Sequence, residues 1–164
     1  MNTYLLKKIL LALLFGLAVF TAQAALKVGD ALPDLASFQL EGALPPSLKG
    51  KIVIVDFWAS WCLPCAESFP VMDELQKKYG DRVVILAVNV DEQAAKMEKF
   101  LKKHPVSFAV VRDGRQKLVA TVEPETMPTS FILDTAGNVK FLHKGFHGEE
   151  SRQQYIQEIE SLLK

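Results

Sequence analysis

The chain has two cysteines, Cys62 and Cys65, and only two residues separate them in the run FWASWCLPCAESFP. Three chemistries use such a pair. A structural disulfide stabilises mainly by constraining a long loop in the unfolded chain, and Cys62-Leu63-Pro64-Cys65 encloses almost none. A zinc site needs four ligands. No second cysteine pair exists, and His104, His143 and His147 share no ligand spacing with this one. The third chemistry is thiol–disulfide exchange, and it has positive support. The pair follows an apolar run that reads as a buried strand and opens a segment that reads as a helix. At a helix N-terminus, unpaired N–H groups and the dipole favour a thiolate on Cys62, the nucleophile. Cys65, one turn in, is placed to attack a mixed disulfide. Pro64 lacks an N–H and suits a first helical turn.

Two other places bear on that chemistry. Asp56 interrupts the apolar strand six residues before Cys62. A carboxylate there either turns to water at a strand end or stays buried with a raised pKa and takes the Cys65 proton. The segment Met127-Pro128-Thr129 precedes another apolar run. Only about 5–6% of X-Pro bonds in folded proteins are cis, so the bare sequence favours a trans bond at Pro128.

These residues need a scaffold. Ile52 to Trp58 is nearly continuous in apolar and β-branched residues, as in a strand covered on both faces. A helix is expected from about Cys62 to Tyr79, stopped by Gly80, with Pro70 kinking it. Val83 to Val90 reads as a second buried strand. Asp91 is a candidate cap for a helix to about Lys103 with Ala94, Met97, Phe100 and Leu101 on one face. Phe108 to Val111 reads as a short strand and residues 114–122 as a short helix. Ser130 to Asp134 and Val139 to Lys144 read as strands joined by a tight turn. A last helix covers about 149–163, with Tyr155, Ile156, Ile159, Leu162 and Leu163 inward. Residues 25–50, punctuated by Pro33, Pro45, Pro46 and Gly50, suggest a lead-in strand or short hairpin. Early crossovers and a late hairpin imply an α/β fold: a mixed central sheet with helices on both faces.

The whole chain has 164 residues, 49% apolar and 23% charged, which suits one packed domain. Its 19 basic and 19 acidic residues balance. That argues against a nucleic-acid-binding surface, which needs a basic excess. Lys7 and Lys8, the twelve-residue apolar run Ile9 to Phe20 and Ala22-Gln23-Ala24 make a secretory signal peptide over 1–24. As helix, that apolar run spans about 18 Å, short of a hydrocarbon core of about 30 Å. A retained N-terminal membrane anchor is the rival reading. Cleavage after Ala24 leaves a domain of residues 25–164 with 17 basic and 19 acidic residues. Export places it in an oxidising compartment where a cysteine pair can cycle.

The stretch Asp56-Phe57-Trp58-Ala59-Ser60-Trp61-Cys62-Leu63-Pro64-Cys65 resembles the active-site segment of thioredoxin-fold proteins. The signal peptide, the lead-in Phe38 to Leu48, Leu48-Lys49-Gly50-Lys51 and Val88-Asn89-Val90-Asp91 resemble the TlpA/ResA branch, exported thiol–disulfide oxidoreductases. The resemblance covers about residues 26–163. It implies a thioredoxin-like fold with a helix-strand insertion at 91–124 and a redox-active Cys62–Cys65 disulfide needing no metal or other cofactor. It implies that Pro128 is the family's cis-proline and that Met127 offers backbone hydrogen bonds to a bound peptide. Trp58 and Trp61 would frame the site, with Leu63, Pro64 and Thr129 on the substrate side, and Asp56 matches the buried acid of thioredoxin. Many members of the branch have no aspartate there and carry an acid three residues after the second cysteine. Here that position is Ser68, and Glu67, one helical step of about 100° away, reads as a solvated residue.

No lysine, arginine or histidine lies within residues 52–76, so nothing local strongly stabilises a Cys62 thiolate. That favours a protein-disulfide reductase over an oxidant. The resemblance implies a monomer acting on periplasmic or extracytoplasmic proteins, as in cytochrome c maturation, with electrons from a membrane thiol transporter. An oxidase or isomerase of secreted proteins is the second reading; a non-catalytic metal-binding protein or copper chaperone is the third. Specificity is expected around Trp61, Leu63, Met127 and 91–124, where no charge pattern in the sequence identifies a partner.

Overall fold

A computed structural model describes residues 25–164. The signal-peptide segment 1–24 and its cleavage site lie outside the described residues. Five strands form one sheet: β1 (Ile52–Trp58), β2 (Val83–Asn89), β3 (Ala109–Arg112), β4 (Thr129–Leu133) and β5 (Val139–Lys144). Their order is β3-β2-β1-β4-β5. β1 runs parallel to β2, and β2 to β3; β4 lies antiparallel to both β1 and β5. Four α-helices accompany the sheet among the described residues: α1 (Leu63–Tyr79), α2 (Ala94–Lys103), α3 (Lys117–Val122) and α4 (Glu149–Leu162). The expected mixed sheet and insertion are present, with strand ends within a residue or two of the sequence reading.

β1 is the central strand, and all seven of its residues are buried. Its continuous apolar run follows from having two covered faces. Because side chains alternate along a strand, Ile52, Ile54 and Trp58 pack with Phe69 and Leu75 of α1 and Tyr155 and Ile159 of α4. Val53, Val55 and Phe57 face the other way, against Leu118 and Val122 of α3 and Leu35. Burying each such large apolar side chain contributes about 1.5–3 kcal/mol. Trp58, Phe69, Phe100 and Phe108 form an aromatic cluster, with ring centroids 4.7 Å apart for Trp58–Phe69 and 4.8 Å for Trp58–Phe100. This cluster locks α2 beside the start of α1.

The lead-in differs from the sequence reading. Residues 25–50 form no hairpin. They make a 3-10 turn at Leu35–Phe38 and two isolated bridges, Ala31 to Asn138 and Glu41 to Arg112. The prolines remove ladder donors, while Leu26, Leu32, Phe38, Leu40 and Leu48 still pack on the α3 face of the sheet. The late hairpin is as expected. Asp134 Oδ1 accepts from the N–H groups of Ala136 and Asn138, both at 3.0 Å. Gly137 takes the positive φ of 88° that the turn requires.

Asp91 does not cap α2. The N-cap is Gln93, which makes no side-chain cap hydrogen bond. Asp91 is buried, and its carboxylate has other partners, described below. Among the described residues no helix is long and apolar enough to cross a membrane.

Candidate active site

Three strand ends meet at one edge of the sheet. β1 ends at Trp58 opposite Asn89 of β2, and Phe57 lies opposite Thr129 at the start of β4. The Ala59–Cys62 loop, the turn after β2 and the loop before β4 therefore converge.

Cys62 and Cys65 are joined as a disulfide, with their Cα atoms 5.3 Å apart. Cys62 is the N-cap of α1, with extended backbone (φ −89°, ψ 109°), and its Sγ accepts the Cys65 backbone N–H at 3.2 Å. Pro64 occupies the first turn. Cys62 is 6% exposed and Cys65 fully buried, between Trp61 and Leu63, each 71% exposed. Only Cys62 faces outward, and a helix N-terminus points at it. Glu67 is exposed; Ser68 is buried and its hydroxyl donates to the Cys65 carbonyl at 2.9 Å.

The loop is held from the β2 side. The Ser60 N–H and hydroxyl donate to the two carboxylate oxygens of Asp91, at 3.0 and 3.1 Å. The Asn89 amide also donates to Asp91, at 2.8 Å. Arg112 donates to the carbonyls of Asp91 and Glu92 while it pairs with Glu41. Asp91 is thus a loop anchor, a role the sequence pattern hid because Asp before a helix reads as a cap. Asp91→Ala leaves the Ser60 and Asn89 donors unpartnered in a part-buried site. The expected cost is about 1–3 kcal/mol in urea unfolding, with faster hydrogen exchange at Ser60 than in the wild type.

Asp56 lies on the face of β1 that carries Cys65, because Ile54 and Trp58 pack there. The strand-end alternative is overturned: Asp56 is 1% exposed. Burial pushes its carboxyl up to about 7, against a smaller opposing pull from Ser130. Ser130, opposite Asp56 in the β1–β4 register, donates to Asp56 Oδ1 at 2.6 Å. Ser130 Oγ also lies 2.9 Å from the Tyr155 hydroxyl, which must then be the donor. Burial, and secondarily the Asp56 charge, raises the Tyr155 pKa. Asp56 Oδ2 has no partner among the described residues. Sequence reading placed Ser130 at a strand start and Tyr155 inward on the last helix but had no signal linking them to Asp56; strand register and the packing of α4 do that.

The Met127–Pro128 peptide is cis, Pro128 is buried, and Met127 packs against both halves of the core. The Thr129 hydroxyl donates to the Thr126 carbonyl at 2.7 Å and the residue is 1% exposed. Thr129 therefore holds this loop and presents no side chain to a substrate, a correction to the sequence reading. Among the described residues no His, Cys, Asp and Glu cluster has the makings of a metal site.

A groove of about 380 Å³ opens beside Cys62, walled by Trp61 and Leu63 on one side and by Lys96, Lys99 and Lys103 of α2 on the other. The absence of basic residues in 52–76 does not carry into three dimensions, because packing brings these lysines from the insertion. Their spacing of three and four residues along α2 is the sequence signal for this row.

A two-cysteine redox pair at the mouth of a helix, on a mixed sheet of this order, defines a thioredoxin-fold oxidoreductase. The thioredoxin-like family matches residues 50–139. Thiol-disulfide oxidoreductase ResA of Bacillus cereus is 32% identical over 96% of this chain and 97% of its own length. The ResA of Geobacillus thermodenitrificans is 34% identical over 97% and 94%. A Chlorobium tepidum structure described as a thiol:disulfide interchange protein, DsbE, superposes with TM-score 0.77 at 35% identity, covering 85% of this chain and 100% of its own. The chain belongs to the thioredoxin-like family of ResA-related thiol–disulfide oxidoreductases.

Proposed function

We propose that the mature chain, cut after Ala24, is an exported monomeric reductase of protein disulfides. The reduced Cys62 thiolate attacks a substrate disulfide. One Cys62–substrate disulfide forms as the substrate bond breaks, and one substrate thiol leaves. The Cys65 thiolate then attacks Cys62 Sγ, which frees the second substrate thiol and closes Cys62–Cys65. Two electrons pass to the substrate. Asp56, ionised, takes the Cys65 proton. Trp61, Leu63, Pro64, Met127 and the Pro128 loop receive the substrate chain. A membrane thiol transporter returns two electrons, and extracytoplasmic proteins such as those of cytochrome c maturation are the substrates. No metal or other cofactor is needed. The burial of Cys65 behind an outward-facing Cys62 carries this reading, since only an order of attack starting from Cys62 suits it.

The lysines beside Cys62 favour a second reading, an oxidant of secreted thiols, because positive charge stabilises a thiolate. The reduction potential separates the two. Equilibration against dithiothreitol or glutathione is expected to give a value close to thioredoxin's, about −270 mV, whereas about −120 mV would overturn the reductase.

A further inference from the structure

Helix α2 carries Lys96, Lys99 and Lys103 on the side that faces the groove at Cys62. Steps of three and four residues keep them on one helical face. Phe100, on the same face, lines the groove and stacks on His104 with centroids 4.4 Å apart. Among the described residues none of the three lysines has an ion-pair partner, although Lys77, Lys78 and Lys144 each have one. Glu98, the one acid within α2, is turned about 160° round the helix from Lys96 and about 140° from Lys103.

The ordinary reading of such lysines is a solvated helix face, or complements to the helix dipole. The dipole accounts for Lys102 and Lys103 in the last turn. It does not account for Lys96, which lies in the first turns of a helix with no acid in its first turn. The mature chain has more acidic than basic residues, so this row of positive charge stands out locally. It sits beside two exposed apolar side chains, Trp61 and Leu63, in the groove that Cys62 also lines.

We propose that the Lys96–Lys99–Lys103 row is a docking surface for an acidic polypeptide segment: substrate sequence with Asp or Glu within a few residues of the cysteine that Cys62 engages. The proposal rests on the oxidoreductase reading and adds the substrate class. The exposed apolar pair takes the residues beside the substrate cysteine. The lysine row pairs with carboxylates further along and steers the encounter.

The test uses three peptide disulfides of one design, with Glu, Gln or Lys flanking the cysteines, and the reduced mature domain. At about 20 mM salt the Glu peptide is expected to react about tenfold faster than the Lys peptide, and the ratio should fall below about twofold at 0.5 M, where the Debye length is only a few ångströms. Lys96→Gln/Lys99→Gln/Lys103→Gln should collapse the same ratio, while the triple Lys→Arg variant keeps it. Equal rates in the wild type, or a ratio that survives the Gln variant, would overturn the docking surface. Binding of a cysteine-to-serine Glu peptide to the oxidised protein, followed by fluorescence anisotropy, reads docking without chemistry. If no peptide is reduced but the Glu peptide binds more tightly than the Lys peptide, the reductase reading fails and the docking surface stands.

Discussion

Cys62→Ser is expected to abolish disulfide exchange, a loss of about 10⁶-fold by analogy with removal of other covalent nucleophiles. Cys65→Ser should behave differently. It leaves an outward-facing Cys62 that can attack but has no partner to resolve the product. The protein should then accumulate as a Cys62–substrate mixed disulfide, visible as a mass shift under non-reducing conditions. The asymmetry comes from burial. Cys62 is 6% exposed at the N-cap of α1 and accepts the Cys65 N–H, while Cys65 is sealed beneath it. Trapping through Cys65 in the Cys62→Ser variant, at the level seen through Cys62, would reverse the assignment.

Asp56→Asn should have opposite effects on activity and stability. Burial holds the Asp56 carboxyl up at about 7 against 3.8 when exposed. Between those values the folded protein binds a proton that the unfolded chain has released. Stability therefore falls as pH rises from about 4 to 7 and is flat above. A gap of about 3 pH units at about 1.4 kcal/mol each amounts to a penalty on the order of 4 kcal/mol. Asparagine keeps the acceptor for Ser130 and carries no charge. The variant should match the wild type near pH 4 and exceed it by a few kcal/mol at pH 8 in denaturant unfolding. Its resolving step should be slower by about a hundredfold near pH 7, as when a positioned base is removed. In the wild type that step should accelerate as pH rises through about 7, where Asp56 ionises. Equal pH dependence of stability in the two proteins would show that Asp56 is not buried as an acid.

These two expectations draw on different levels of information. The cysteine pair, its place between a strand and a helix, and the β1 run were legible because they are local. A continuous β-branched stretch reads as a doubly covered strand, and CxxC at a helix start has one favoured chemistry. The element order followed for the same reason, since strand and helix periods are written into neighbouring residues.

What failed locally failed for a physical reason. Asp91 reads as a helix cap because capping residues are short and polar, yet the Ser60 N–H, 31 residues earlier, competes for its carboxylate and wins. Residues 25–50 carry strand-like apolar residues, but their prolines prevent a ladder, so they cover a face of the sheet instead. The resemblance puts Thr129 on the substrate side, but its side chain is buried and its hydroxyl is taken by the Thr126 carbonyl.

By itself the sequence determined the redox pair, the strands and helices around it and the acid in the central strand. Only the tertiary structure decided how Asp56 is solvated, because its partner Ser130, and Tyr155 which bonds Ser130, lie 74 and 99 residues away and are brought in by β1–β4 register and the packing of α4. Only the tertiary structure, likewise, set three lysines from the insertion beside a cysteine whose own segment carries no positive charge. Charge acts through space, and the distance that matters is across the groove rather than along the chain.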